Sequence, residues 1–426
     1  KQNLTAKELI LLNPIKYLKK KGFKRAIKVI WQYKIDILFQ MLLKILCKNR
    51  SLLNCIVIES HNDFDSNGGA FYDYLIDKNL NEQYRIIWLL RNKAPKHLPK
   101  NVQCFNIYTP SIRKDYYIVN SKFILTCQDS IGIFREGQRA YYLTHGAMAL
   151  KNTKGNISVP KTISYILAPS EYLLPIQADL LSISYPNEKQ IILGYPCHDV
   201  LHNIKHGDGD LKKLTGRKSS FNVEQESNQK FEKVIIWMPT FRKLRSGERI
   251  DSNVELTMGV PILKNNEDFC KLDEKLASKK VLLVIKIHPM QDTSKIRIRS
   301  TNNIVVLDGN TVKELGIDNY RLMVDTDAMI TDYSSSGTDY LQTQNPLAYT
   351  LSDMNEYKLG FIVENIHELM PGKKIYSLND LLIFIDDVVD GRDKYVKERR
   401  VALEKMFKYH DGRSCQRLAE HMGINK

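Results

Sequence analysis

The sequence predicts an α/β protein with two Rossmann-type parallel-sheet domains that face a cleft, preceded by a basic amphipathic helical segment. Three observations lead to this prediction. Short runs that are apolar on both faces alternate with helix-like segments, as in parallel sheets covered on both sides. The alternation breaks in a polar stretch over about 202–231 and then resumes, which is typical of a domain boundary. Positive charge is concentrated in the first fifty residues.

The first series of elements lies within 51–215, which we predict to be the N-terminal Rossmann-like domain. Asn67-Gly68-Gly69 predicts a turn between the first strand and the first helix. The expected strands cover 55–59, 85–90, 102–107, 122–127, 141–144, 165–168 and 190–193. The expected helices cover 70–80, 111–120 and 171–182.

The second series lies within 216–426, which we predict to be a C-terminal Rossmann-like domain ending in charged helices. Its expected strands cover 234–238, 281–285, 304–307, 328–330 and 347–349. Ligands of open parallel sheets bind outside the carboxyl ends of the strands. The residues that follow each strand are therefore the candidates for a functional site.

The bulk composition favours a globular protein from a reducing compartment. Apolar residues make up 43% of the chain and charged residues 26%, which argues against a disordered protein. The seven cysteines are scattered and contain no CxxC pair, which argues against a disulfide framework or a structural zinc site. We therefore predict no metal site.

The segment 1–50 carries 13 Lys and Arg residues against two acidic ones, leaving a net charge of only +4 for the rest of the chain. No uncharged run within it reaches the roughly 20 residues of a transmembrane helix. We predict one or two amphipathic helices over 15–46 that lie on an anionic membrane surface, with Trp31, Tyr33 and Phe39 near the headgroups. The alternative is an ordinary amphipathic helix packed on the domain, with its lysines in water.

Histidines follow strands in both predicted domains. His145 follows the strand at 141–144, and Gly146 would let another group approach closely. An imidazole here can take a proton from an attacking hydroxyl. Lys286 and His288 would share one face of a buried strand, which is costly unless an anion meets them. The alternative for His145 is a loop histidine without a function. The alternative for the second site is that the strand has already ended by Lys286, which would leave Lys286 and His288 in water.

Two further strand ends carry groups suited to phosphate. Thr240 and Arg242 follow the strand at 234–238 and offer a hydroxyl and a guanidinium, although Arg242 could equally be a solvated surface residue. The strand at 328–330 continues into a turn and a helix start that offer hydroxyls, backbone N–H groups and a helix dipole. The turn comprises Thr331, Asp332, Tyr333, Ser334, Ser335 and Ser336. These serines could also be plain N-caps, and Asp332 could bind a hydroxyl, cap the helix or hold a metal.

In these motifs the sequence resembles the CDP-glycerol glycerophosphotransferase family of teichoic acid primases and polymerases. The matching pieces occur in the family's order over roughly 55–420. They are Thr144-His145-Gly146 with Lys151, Pro169-Ser170-Glu171-Tyr172, Leu193-Gly194-Tyr195-Pro196 with Asp199-Val200-Leu201, Met238-Pro239-Thr240-Phe241-Arg242, Lys286-Ile287-His288-Pro289, Ile330-Thr331-Asp332-Tyr333-Ser334-Ser335 with Asp339-Tyr340, and Asp411-Gly412.

The resemblance implies a GT-B-like fold, with the acceptor side in 51–215 and the CDP-donor side in 216–426. It implies transfer of a polyol phosphate, usually glycerol phosphate, from a CDP-activated donor to a lipid-diphosphate-linked saccharide or a polyol-phosphate polymer, with release of CMP. The product would be teichoic acid or capsule polymer, made at the cytoplasmic face of the membrane by a peripheral enzyme. No resident cofactor is implied, since the CDP-polyol is a substrate, and the need for a divalent metal is left open.

The resemblance also implies roles for individual residues. His145 would be the general base, with Gly146 and Lys151 on the acceptor side. His288 would hydrogen-bond the donor diphosphate. The other expected donor or phosphate ligands are Thr240, Arg242, Lys286, Thr331, Asp332, Ser334, Ser335 and Ser336.

The sequence departs from the family where Thr144 replaces a common Trp and where Cys197-His198 follow the Gly-Tyr-Pro motif. A different acceptor or polyol would explain such changes. A GT-B glycosyltransferase with a nucleotide-sugar donor is the alternative enzyme. A protein that only binds nucleic acid or membrane would leave the strand-end histidines unexplained, and we expect no nucleic-acid partner.

Overall fold

The structure is a computed structural model that describes residues 23–128, 131–155, 157–215, 231–243, 250–252, 254, 256–289, 291 and 296–424. Residues 15–22 of the predicted amphipathic segment and residues 216–230 of the predicted linker lie outside the described residues. The proposed boundary between 215 and 216 therefore stays a prediction.

The chain forms two compact units whose sequence ranges interleave. The first comprises residues 1–146, 153–199 and 413–426, and the second comprises 147–152 and 200–412. The segment that follows His145-Gly146 thus belongs to the second unit, and the last helix belongs to the first.

The first unit is built on a seven-stranded parallel sheet with the order β3-β2-β1-β4-β5-β6-β7. Its strands are β1 (Leu53–Glu59), β2 (Arg85–Leu90), β3 (Val102–Asn106), β4 (Ser121–Thr126), β5 (Arg139–Tyr142), β6 (Tyr165–Ala168) and β7 (Gln190–Ile192). Its helices are α1 (Phe23–Leu46), α2 (Ser66–Asp77), α3 (Ile112–Asn120), α4 (Leu174–Leu181) and α5 (Pro196–Asn203), the last of which runs into the second unit.

The second unit is built on a six-stranded parallel sheet with the order β10-β9-β8-β11-β12-β13. Its strands are β8 (Lys233–Trp237), β9 (Val281–Lys286), β10 (Ile304–Leu307), β11 (Ala328–Thr331), β12 (Leu347–Thr350) and β13 (Lys373–Ile375). Its helices are α6 (Lys212–Thr215), α7 (Asn266–Ser278), α8 (Gly309–Leu315), α9 (Asn319–Val324), α10 (Ser335–Tyr340), α11 (Leu378–Val389) and α12 (Val396–Met406). Helix α13 (Ser414–Met422) returns to the first unit.

The buried cores follow the predicted pattern, since the central strands of both sheets are covered on both faces. All six residues of β9 and all four residues of β11 are buried. Such strands cannot alternate between polar and apolar residues, which is why they appear in the sequence as continuous apolar runs.

Helix α1 packs against the rest of the first unit through a face that is partly charged. Lys114 donates a hydrogen bond to Asp36 at 2.8 Å, and Gln40 donates one to Asp115 at 2.7 Å. Leu43 packs beside these contacts against Val119. The opposite face is apolar and exposed, and comprises Trp31, Leu38, Met41, Leu42, Ile45 and Leu46. Helix α1 therefore has apolar residues on both faces, one packed against the rest of the first unit and one exposed.

Two local predictions were wrong. Phe39, expected near lipid headgroups, packs against the cluster of Leu43 and Val119 instead. The turn expected over 67–69 is the first turn of α2. Glycine is needed there because a Cβ on Gly69 would lie 2.4 Å from the carbonyl oxygen of Phe64. A close approach and a turn both select glycine, so composition alone could not separate them.

Candidate functional site

In the first unit, the strands β1, β4 and β5 are neighbours and end at the same edge of the sheet. His61 follows β1, Gln128 follows β4 and His145 follows β5. His61 Nδ1 and Gln128 Oε1 are 3.1 Å apart, and the rings of His61 and His145 stack with centroids 5.6 Å apart. The exposed His145 therefore has a second imidazole beside it, which the sequence analysis did not identify.

The backbone that presents His145 is held in an unusual conformation. Thr144 has φ +61° and Gly146 has φ +119°. A positive φ is strained for a β-branched residue and needs support from its surroundings. Asn67 provides it, because its side-chain amide donates to the carbonyl oxygens of Leu143 at 2.8 Å and Thr144 at 3.2 Å.

Asn67 also accepts a hydrogen bond from the backbone N–H of Cys197 at 3.1 Å. The side chain is completely buried, so these three bonds use the polar atoms that burial would otherwise leave unpaired. Asn67 thereby fixes the turn that carries His145. Sequence reasoning missed it because an Asn-Gly-Gly sequence points to a turn.

In the second unit, β9, β8 and β11 are neighbours, so their carboxyl ends meet at one edge. The segments that follow carry His288 after β9, Thr240 and Arg242 after β8, and the Thr331–Ser336 turn after β11. The structure thus brings the predicted donor-side residues to three adjacent strand ends.

The turn after β11 begins a short helix. Ser334 is the N-cap of α10, and its Oγ accepts from the backbone N–H of Ser336 at 3.3 Å. Ser334, Ser335 and Ser336 are half-buried, whereas Thr331 is fully buried and donates to the carbonyl oxygen of Met238 at 3.1 Å. The three serines therefore remain at the surface of the turn, and Thr331 joins β11 to β8.

Arg242 lies in a buried network with two carboxylates. Its Nη1 donates to Asp332 at 2.8 Å, its Nε donates to Asp353 at 2.5 Å, and its Nη2 donates to Asp353 at 3.0 Å. Burial alone would lower the pKa of Arg242, but Asp332 and Asp353 raise it above its usual value. The guanidinium therefore remains charged, although only 2% of Arg242 is exposed.

Asp332 and Thr240 belong to the same network. The backbone N–H of Thr240 donates to both carboxylate oxygens of Asp332 at 3.0 Å, and the Thr240 hydroxyl makes a short hydrogen bond to one of them. Of the alternatives that the sequence left open for Asp332, these contacts match binding to a hydroxyl. They join the segment after β8 to the turn after β11.

His288 and Lys151 both contact the aromatic ring of Phe241. The His288 ring centroid is 4.9 Å from that of Phe241, and the ammonium group of Lys151 is 5.0 Å from it. Lys286 is buried at the end of β9, so it does not lie in water as one alternative had it, whereas His288 is half-exposed.

The sequence profile of the family described as CDP-glycerol:poly(glycerophosphate) glycerophosphotransferase matches residues 38–422. The chain belongs to this family. A Staphylococcus aureus teichoic acid glycerol-phosphate transferase is 22% identical over 93% of this chain and 98% of its own length. The S. aureus teichoic acid ribitol-phosphate polymerases TarK and TarL are each 24% identical over 74% of the chain. The chain spans about half of their length, at 54% and 49%.

The wall teichoic acid polymerase TagF has a similar solved structure. The TM-score is 0.70 at 17% identity, over 98% of this chain and 97% of that one. The predicted GT-B-like α/β fold with two parallel-sheet domains is confirmed by this likeness. The resemblance to the glycerophosphotransferase family is confirmed by the family match.

Within this family member, His145 and Gly146 belong to the first unit. The other ten predicted site residues, including Lys151, belong to the second unit. Their roles toward substrate stay predictions. No helix within the described residues is both long enough and apolar enough to cross a membrane.

Proposed function

We propose that this chain transfers a polyol phosphate, with glycerol phosphate as the first candidate, from a CDP-activated donor to an acceptor hydroxyl, releasing CMP. The acceptor is a lipid-linked saccharide or a polyol-phosphate polymer, and the pathway makes teichoic acid or capsule polymer. One observation carries the proposal: in a member of the glycerophosphotransferase family, His288 and Lys286 lie at the end of β9 and the three serines follow β11, the two strands that flank β8.

In the proposed reaction the acceptor oxygen attacks the phosphorus that bears the polyol. A bond forms between them, and the bond from this phosphorus to the oxygen of CMP breaks. His145 takes the proton of the attacking hydroxyl. His288 and the hydroxyls of Ser334–Ser336 stabilise the charge on the donor phosphates and on departing CMP. Phosphoryl transfer needs mainly positioning and charge neutralisation, so this set is chemically adequate.

The polyol is left to experiment, because the relatives support two candidates. A glycerol-phosphate transferase matches nearly the whole chain, whereas two ribitol-phosphate polymerases match three-quarters of it. A variant of TagF has been soaked with CDPG. These relatives support a CDP-polyol donor, and a panel of CDP-glycerol and CDP-ribitol would choose between the two.

We also propose that α1 holds the enzyme on the anionic cytoplasmic face of the membrane. The exposed face of α1 is apolar, and residues 1–50, which include α1, supply most of the net positive charge. Both features favour an interfacial helix over an ordinary surface helix. A lipid-linked acceptor would lie in the same plane.

The proposal is tested by CMP release from CDP-glycerol in the presence of a lipid-linked disaccharide acceptor. We expect His145→Ala and His288→Ala each to lower the rate by at least about 100-fold, the lower range for loss of an acid–base or charge-stabilising group. His97→Ala and His206→Ala are matched controls, because both residues are exposed and lie outside the two sets of strand ends. Full activity of either strand-end variant would refute the assigned roles.

A further inference from the structure

The two phosphates of a CDP-polyol carry a concentrated negative charge, which the donor side must neutralise. Among the donor ligands predicted for the second unit, Arg242 and Lys286 are the two with cationic side chains. The contacts of Arg242 decide whether its charge can serve this purpose.

The charge of Arg242 is already matched inside the protein. Three of its nitrogens donate to the carboxylates of Asp332 and Asp353, and Nη1 also donates to the carbonyl oxygen of Thr240 at 2.8 Å. Four of the five N–H groups of a guanidinium are thus used. Two carboxylates beside one guanidinium leave a net negative charge, so this cluster cannot by itself attract a phosphate.

Two aromatic rings, those of Tyr333 and Tyr357, also lie beside the guanidinium of Arg242. The guanidinium lies 5.5 Å from the ring centroid of Tyr333 and 5.7 Å from that of Tyr357, and both rings are buried. Access of a diphosphate to the guanidinium would require these side chains to move. Arg242 therefore has the contacts of a residue that joins segments of the fold.

Lys151 is held in the second unit by the backbone contacts of its own segment. Its segment belongs to the second unit, where Lys151 forms an antiparallel bridge with Phe361. The N–H of Asn152 donates to Gly360, and the N–H of Ile362 donates to Leu150, each at 3.0 Å. Four residues earlier along the chain, the N–H of Ala147 donates to Asp339 at 2.9 Å.

These bonds place the ammonium group of Lys151 over the Phe241 ring, against which His288 also packs. A cation and an imidazole thus share one aromatic neighbour at the end of β8. An ammonium group is attracted to an aromatic face and can move by rotation of its flexible stem.

We propose that Lys151 binds the diphosphate of the CDP-polyol donor together with His288, and that Arg242 is a positioning residue. This exchanges the roles expected from the sequence, which assigned Lys151 to the acceptor and Arg242 to the phosphates. The inference rests on the proposed function and adds a specific donor ligand to it.

The test separates donor binding from acceptor binding. Binding of CDP to the full chain is measured by calorimetry without acceptor, and initial rates are measured with each substrate varied in turn. We expect Lys151→Met to weaken CDP binding and to raise the donor KM by about 10- to 100-fold, the range for a hydrogen bond to a charged group. The acceptor KM should stay within about twofold, and Lys151→Arg should recover part of the CDP affinity.

Lys280→Met is the matched control, because it removes an exposed cation from the same unit. Unchanged CDP affinity and donor KM in Lys151→Met, with or without a raised acceptor KM, would overturn the inference while the wild type still releases CMP. A wild type that neither binds CDP nor releases CMP would instead overturn the proposed function, and this inference with it.

Discussion

Replacement of Asp115 by Asn should stabilise the protein at pH 8 and should stabilise it clearly less at pH 5. Asp115 is completely buried between α3 and α1. Burial first, and then the neighbouring charge of Asp36, raise the pKa of Asp115 from 3.8 to about 7, although the hydrogen bond from Gln40 opposes the shift. One oxygen of each carboxyl, Asp115 Oδ2 and Asp36 Oδ1, is buried without a hydrogen-bond partner among the described residues.

The sign follows from proton linkage. Between pH 4 and 7 the folded chain holds this proton more tightly than the unfolded chain, so the stability due to Asp115 is lost as the pH rises through about 7. A rise of about 3 pKa units corresponds to roughly 4 kcal/mol at 1.36 kcal/mol per unit. Because Gln40 and Lys114 oppose the effect of burial on Asp115, we expect a gain of about 2–4 kcal/mol at pH 8 for Asp115→Asn.

The variant keeps the shape of the protonated side chain. Its amide oxygen can accept from Gln40, and its NH₂ group can donate to the Asp36 oxygen that is buried without another hydrogen-bond donor. Urea unfolding of the wild type and the variant, followed by circular dichroism at pH 5, 6.5 and 8, gives the difference in unfolding free energy at each pH.

Asp308→Asn is the matched control with the opposite sign, because the backbone N–H of Thr311 lowers the pKa of Asp308. Stability supported by that carboxylate should be lost as the pH falls. A difference between Asp115→Asn and the wild type that is the same at pH 5 and pH 8 would refute the reasoning.

Three further predictions concern other parts of the structure. Asn67→Ala should lower the unfolding free energy by about 2–4 kcal/mol and also reduce kcat for CMP release, since three hydrogen bonds around the His145 turn are lost; an unchanged kcat would contradict its role. Arg242→Met should destabilise the protein by about 3–5 kcal/mol, because two buried carboxylates lose their partner, and an unchanged melting temperature would exclude this account. Ile45→Asp should weaken sedimentation with anionic vesicles, whereas Val401→Asp, also at an exposed apolar site, should not; equal binding of both would argue against α1 as the membrane surface.

Most of the fold could be predicted because the strands of both sheets are covered on two faces. Their apolar runs are short, continuous and separated by helices, and every predicted strand overlaps an observed one. Strand β13 was missed because Lys373-Lys374-Ile375 is an edge strand with little apolar content. The interleaving of the two compact units depends on pairing between distant segments, which leaves no local pattern in the sequence.

The candidate site was predictable to a different degree in each unit. The strand ends identified His145, His288 and the serine turn directly, because parallel strands deliver their following residues to one edge. The contacts of Arg242 with Asp353 were not predictable, since the two residues are separated by 111 positions and either could have been a surface charge. His61 was missed because it lacks a distinctive neighbour in sequence, and Asn67 was missed because Asn-Gly-Gly points to a turn; both gain their roles only from tertiary contacts.

The most direct measurement follows the fate of phosphorus. CDP-glycerol labelled only at the phosphate attached to glycerol is incubated with the full chain and a lipid-linked acceptor, and the products are separated. Transfer of glycerol phosphate predicts that the label moves quantitatively into the acceptor while the released CMP carries none. Label in free glycerol phosphate alone, or in the nucleotide product, would contradict the central claim.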